Sequence, residues 1–134
     1  QRPGWQNAAG VNNRYSRNAR QLPDVSAAAY ALAVYFQGRW GAVGGTSAAA
    51  PIWAAGLVLV NQGMLQQIHT LANLPSTAQQ FYAVADQSSG ANPYYDVTRG
   101  NNLYYPATPG WDFSSGLGTP NLADFYQVVA NNFK

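Results

Sequence analysis

The stretch Gly44-Gly45-Thr46-Ser47-Ala48-Ala49-Ala50-Pro51 leaves one serine at the junction between a strand-like run and a long apolar run. A nucleophilic serine needs a base, because its hydroxyl attacks poorly at its free pKa. The only histidine, His69, lies 22 residues further on. At about 1.5 Å per residue, one continuous helix would hold the two about 33 Å apart, out of hydrogen-bond reach. His69 is therefore expected to be a polar residue on the exposed end of a helix. The carboxylates are Asp24, Asp86, Asp96, Asp112 and Asp124, with no glutamate anywhere in the chain. None is tied to Ser47 by a local motif, and Asp24 in Pro23-Asp24-Val25-Ser26 reads as a structural residue, in an Asx-turn or a cap. From residue chemistry alone, Ser47 is equally a nucleophile whose base comes from elsewhere and a helix-start or N-cap residue.

A second constellation lies in the loop from Asp86 to Pro120. Asp96 and Asp112, set among glycines, offer hard oxygen ligands of the kind Ca²⁺ takes, with backbone carbonyls and water completing six to eight positions. Aspartates in turns also bind backbone N–H groups, so the residues by themselves leave both readings open. Tyr94, Tyr95, Tyr104 and Tyr105 read as loop packing.

The elements that must position these residues follow from pattern. Two short apolar runs, Tyr30 to Phe36 and Arg39 to Val43, flank Gln37-Gly38 and predict a hairpin. Residues from Ala48 to about Leu74 are mostly helix formers and predict one long helix, with Pro51 tolerated in its first turn. Its first half is apolar on nearly all sides and is expected to be buried; the glutamines Gln62, Gln66 and Gln67 predict that its second half surfaces. Pro75-Ser76-Thr77 is expected to end it and to cap a short helix over Ala78 to Ala85. A closing helix is predicted from Asn121, its N-cap, to Val129. Residues 1 to 23 read as an irregular surface segment docked by Trp5.

Composition narrows the function classes. The 134 residues are 47% hydrophobic and only 9% charged, with a formal net charge of +2. That balance fits one globular domain, 1–134, and does not favour nucleic acid as a partner. Cysteine is absent, so disulfides and thiolate metal sites are excluded. The apolar run from Ala48 to Val60 is shorter than the roughly 20 residues of a membrane span, and no membrane partner is expected. Gln1 reads as the start of a partial chain or as an end made by cleavage.

Several blocks together resemble the sedolisin family, the serine-carboxyl peptidases. These are Arg2-Pro3-Gly4-Trp5-Gln6; Arg20 with Pro23 to Ala27; the Gly44 to Pro51 serine motif; Asp96-Val97-Thr98 with Gly100-Asn101-Asn102; and Pro109 to Asp112 with Gly116 to Pro120. The resemblance spans the chain but covers only the C-terminal portion of a family catalytic domain. It implies an α/β fold with a subtilisin-like doubly wound parallel sheet, represented here by its C-terminal part, a long buried helix carrying the serine, and a calcium-binding loop. It implies that Ser47 is the acyl-forming nucleophile of a secreted, extracellular endopeptidase working in acid on peptide or protein substrates. The family's glutamate base, the aspartate linked to it and the oxyanion aspartate all precede the block matched by Arg2 to Gln6. The resemblance therefore places the base outside this chain, on an N-terminal portion expected as a second chain, and implies that the chain alone is inactive. It also implies one Ca²⁺ held by Asp96, Val97, Thr108, Gly110 and Asp112, with Thr108 standing where glycine is often found. The competing reading is a non-catalytic, calcium-stabilised binding module in which Ser47 only caps a helix.

Overall fold

In the predicted hairpin, β1 (Leu32–Phe36) and β2 (Arg39–Val43) pair antiparallel from Leu32 opposite Val43 to Phe36 opposite Arg39. Gln37 and Gly38 both have positive φ, 48° and 76°. That is the signature of a type I′ turn, whose twist matches the strands it joins. This computed structural model describes residues 1–69, 71–72 and 78–134.

Gly44-Gly45 then turns the chain into α1 (Thr46–Ile68). Gly45 takes φ 122°, open to glycine and strained for other residues. Helix α2 (Gln79–Asp86) is followed by a long loop whose ends meet as the two-residue strands β3 (Tyr94–Tyr95) and β4 (Thr119–Pro120). Helix α3 (Leu122–Asn132) closes the chain and packs along α1. Asn121 is its N-cap residue, but its side-chain amide donates to Asn92 O at 2.8 Å rather than capping the helix.

Three expectations change. No strands pair in parallel among the described residues: both sheets are antiparallel pairs. The two-residue turn forces that outcome on the hairpin, since parallel neighbours need a crossover. Helix α1 is not buried all round. Its buried residues, Trp53, Gly56, Val60 and Met64, form one stripe, whereas Val58, Leu59 and Leu65 are exposed. Neighbours within the chain cover one side only, and the remaining apolar side lies open. The helix also ends earlier, at Ile68, with His69 exposed as a left-handed C-cap. It begins two residues sooner, which makes Pro51 its sixth residue rather than a first-turn one. The predicted boundary at Pro75-Ser76-Thr77, and any helical turn over residues 73–74, lie outside the described residues. By length and hydropathy α1 is also long and apolar enough to cross a membrane, so the shorter run from Ala48 to Val60 understated it.

The core has two parts. Trp53, Val60, Met64, Val84, Phe125, Val128 and Val129 join α1, α2 and α3. Val11, Tyr82, Trp111 and Leu117 tie the amino-terminal segment and the long loop together, with Val25, Phe81 and Tyr94 packed against both parts. The first 23 residues are thus anchored as well as irregular: Gln6 and Gln21 are buried and bonded to one another, and the Trp5 ring meets Tyr82 at a tilt of 51° with centroids 5.3 Å apart.

Candidate active site and cation loop

Ser47 is the second residue of α1 and is exposed. The N-cap is Gly45, and no side chain caps the helix. Among the described residues, the Ser47 hydroxyl has no hydrogen-bond partner. The cap reading therefore fails, because an N-cap side chain must accept from the second or third helical N–H. The turn itself is held by backbone: Gly45 N donates to Ala29 O at 2.7 Å, and Ala48 N to Gly45 O at 2.9 Å. Pro51, four residues after Ser47, lacks the N–H that the Ser47 carbonyl would accept in an uninterrupted helix. The N–H groups of Thr46 and Ser47, ahead of Ala48 N, have no intrahelical acceptor, which leaves partial positive charge beside the hydroxyl. His69 sits at the far end of the same helix and takes no part.

Asp24 is structural, as expected, but through an ion pair instead of an Asx-turn. Both its oxygens accept from Arg20 at 2.6 Å, and Oδ1 also accepts from the Tyr82 hydroxyl at 2.9 Å. That hydroxyl in turn accepts from the Gln6 amide at 2.9 Å. Burial pushes the Tyr82 pKa well above the ordinary phenol value; the Gln6 donor opposes this and the Asp24 charge adds to it. The sequence reading missed this network. Its signal was the Arg20-x-x-x-Asp24 spacing, unremarked because the segment is not helical.

The loop brings both predicted carboxylates to one turn. Asp96 Oδ2 accepts from Gly110 N at 2.8 Å, and Asp112 Oδ2 accepts from Thr108 N at 2.7 Å. The bond from Ala107 N to Gly100 O at 2.9 Å closes the excursion between them. Asp112 Oδ1 also accepts from Ser114 N, Ser115 N and the Ser115 hydroxyl. Val97 follows Asp96 directly. Gly110 has φ 77°, whereas Thr108 is not among the positive-φ residues, so threonine fits its place without strain. No group of three or more His, Cys, Asp or Glu side chains gathers among the described residues. A cation here would rest on two carboxylates, with carbonyls supplying the remaining protein ligands. Capacity for one remains at two oxygens: among the described residues, Asp96 Oδ1 has no partner and Asp112 Oδ2 accepts from Thr108 N alone, whereas Asp112 Oδ1 is filled by three donors. Of the tyrosines, Tyr94 packs on Trp53 and Phe125, and Tyr105 stacks on Phe113, while Tyr95 and Tyr104 are exposed.

No protein-family profile matches the chain. It is 34% identical over 131 residues to tripeptidyl-peptidase SED3 of Arthroderma otae, covering 86% of this chain and 21% of that protein. It is 32% identical over 134 residues to kumamolisin of a Bacillus species, covering 88% of this chain and 22% of that protein. Among solved structures, it superposes on Pseudomonas sedolisin, a serine-carboxyl proteinase, with a TM-score of 0.74 and 29% identity over 98% of this chain and 34% of that one. The chain thus spans about a fifth of the length of the curated relatives it matches. Its α/β fold is of the subtilisin-like kind, and its homologues, matched over most of this chain, are peptidases of the sedolisin family.

Proposed function

We propose that this chain is the C-terminal portion of a serine-carboxyl peptidase catalytic domain, with Ser47 as its nucleophile. The observation that carries this reading is an exposed Ser47 hydroxyl at the start of α1, behind a glycine cap that frees it from any capping role. Oγ attacks the scissile carbonyl carbon as its proton passes to a glutamate outside this chain. The tetrahedral oxyanion collapses, the C–N bond breaks, and the amine leaves with a proton. Water then hydrolyses the acyl ester. A carboxylate base keeps its accepting form at pH values where imidazole is already protonated, so the working range is acidic.

The remainder of the domain covers the exposed apolar side of α1 and the hairpin, where Phe36 and Trp40 also lie open. It completes the parallel sheet that the hairpin alone does not form, and the isolated chain is inactive. One Ca²⁺ at Asp96, Val97, Thr108, Gly110 and Asp112 supplies charge that offsets the two carboxylates and ties the loop's ends. The setting is extracellular and the substrates are peptides or proteins. Endopeptidase action is the first reading; the names of the tripeptidyl-peptidase relatives favour release of tripeptides as the second.

The test is labelling with a fluorophosphonate probe at acid pH, with the remainder of the domain present. Label on Ser47, absent in Ser47→Ala, is the expected result; an unlabelled Ser47 in a complex that cleaves peptides would overturn the assignment. The lengths of the products distinguish the two cleavage modes.

A further inference from the structure

A second concave surface lies away from Ser47. Arg14, Arg17 and Arg20 line a cavity of about 500 Å³ together with Tyr15, Tyr105 and Phe113. This is within the usual size range of small-ligand sites.

Two of its three arginines, Arg14 and Arg17, have no ion pair among the described residues. Asp24 is taken by Arg20. Asp112 lines an adjoining cavity with Arg14, Tyr15, Tyr105 and Phe113, but it is buried and its oxygens are held by Thr108, Ser114 and Ser115. Asp86 and Asp96 line a different cavity, and Asp124 binds Asn92 N. Among the described residues no carboxylate pairs with Arg14 or Arg17.

Its geometry is set in advance. The loop carrying Arg14 and Arg17 is stiffened by its own side chains: Asn13 Oδ1 accepts from Tyr15 N, and the Ser16 hydroxyl accepts from Asn13 N and donates to Val11 O. Fully buried Val11 fixes that loop to the core. Three aromatic rings share the cavity wall with the arginines. Tyr105 and Phe113 stack with centroids 4.8 Å apart, and Tyr15 meets Tyr105 edge-on at 5.1 Å. The Arg14 guanidinium lies over the Tyr15 ring at 4.7 Å.

Guanidinium forks match the oxygens of a tetrahedral oxyanion, and aromatic faces take a planar or sugar ring. We infer that this pocket binds a phosphate or sulfate monoester carried on a ring, with Arg14 and Arg17 on the oxyanion and the Tyr15–Tyr105–Phe113 wall against the ring. The site shares no residue with the Ser47 reading and stands or falls separately from it.

Calorimetric titration of the chain at low salt with phenyl phosphate, phenyl sulfate, inorganic phosphate, inorganic sulfate and phenol tests the inference. At least one ester is expected to bind about fivefold or more tightly than its inorganic ion, with no heat from phenol; the tighter ester identifies the ligand chemistry. Arg14→Gln and Arg17→Gln are each expected to weaken that ester about five- to tenfold. Both side chains are exposed, so an unchanged melting temperature will show that the fold is retained, and Ser47→Ala will bind as the parent does. Esters that bind no more tightly than their inorganic ions, or an affinity untouched by either arginine substitution, would overturn the site.

Discussion

Asp96 and Asp112 hold the same turn, but the consequences of losing each should differ. Asp112 is 2% exposed and accepts from Thr108 N at 2.7 Å, Ser114 N at 2.8 Å, Ser115 N at 2.7 Å and the Ser115 hydroxyl at 3.2 Å. Asp112→Ala strips the acceptor from all four. Hydrogen bonds to a charged group contribute about 1.5–3 kcal/mol each, but they are not additive once water enters the opened loop, so a total of about 3–5 kcal/mol is expected. That is a large part of the roughly 5–15 kcal/mol holding a domain together. Asp96 is exposed and, among the described residues, accepts only from Gly110 N. Asp96→Ala should cost about 1 kcal/mol. In chelator, then, Asp112→Ala melts far below the parent and Asp96→Ala close to it. Calcium reverses the comparison for Asp96. At a hundred times its Kd, a bound ion stabilises by about 2.7 kcal/mol, on the order of 10 °C in a chain of this size. The parent should gain that shift and Asp96→Ala should lose it. Urea and thermal unfolding followed by circular dichroism, with and without calcium, read both quantities. A full calcium shift in Asp96→Ala would refute its role as a ligand. An Asp112→Ala melt equal to the parent's in chelator would refute the hydrogen-bond accounting.

Ser47→Ala should leave stability unchanged or raise it by up to about 0.5 kcal/mol, since alanine is the better helix former and no bond is lost; a drop of about 1 kcal/mol in urea titration would mean that the serine caps the helix after all. Trp53→Phe removes the indole donor that Ser26 O accepts at 2.8 Å and should cost about 1–3 kcal/mol, measured by the same titration. Burial raises the pKa of both Tyr82 and Tyr94, with the neighbouring Tyr82 charge adding to the shift at Tyr94. In each the folded state keeps its proton longer, so the associated stability is full below the ordinary phenol pKa near 10 and falls as pH rises through the raised values. Absorbance titration should therefore find Tyr82 and Tyr94 un-ionised until the chain unfolds in alkali; ionisation of both in the folded chain would contradict it.

The parts of this structure legible in the sequence are those decided within a few residues. Gln37-Gly38 between two apolar runs specifies the hairpin because only a two-residue turn with positive φ joins strands that closely. The isolation of His69 from Ser47 follows from helix rise alone. What was not legible depends on contacts between distant segments. An apolar circumference on α1 says that neighbours are needed on every side, but not which of them this chain contains; α3 supplies one side and leaves Val58 and Leu59 open. Asp24 looked like a turn residue because its partners include Tyr82, 58 positions away. The convergence of Asp96 and Asp112 on Thr108 and Gly110 was reached through family likeness, since no local rule folds the intervening loop back at Gly100 and Ala107.

The two candidate sites are joined by one extended segment, and its course accounts for residues that neither site uses. Asp24 O accepts from Leu117 N at 2.8 Å, and Ser26 N donates to Gly118 O at 2.9 Å, so the segment is laced to the end of the cation loop. Ser26 O then accepts from the Trp53 indole on α1, and Ala29 O accepts from Gly45 N at the cap before Ser47. The approach on the loop side is too close for side chains. A Cβ on Gly116 would lie 2.3 Å from Asp24 O, and one on Gly118 would lie 2.2 Å from Tyr95 O. Both glycines also have positive φ, so steric and conformational demands coincide there. Gly116, Gly118, Trp53 and residues 24–29 thus form a single bracket whose geometry fixes the first turn of α1 relative to the Asp96–Asp112 turn.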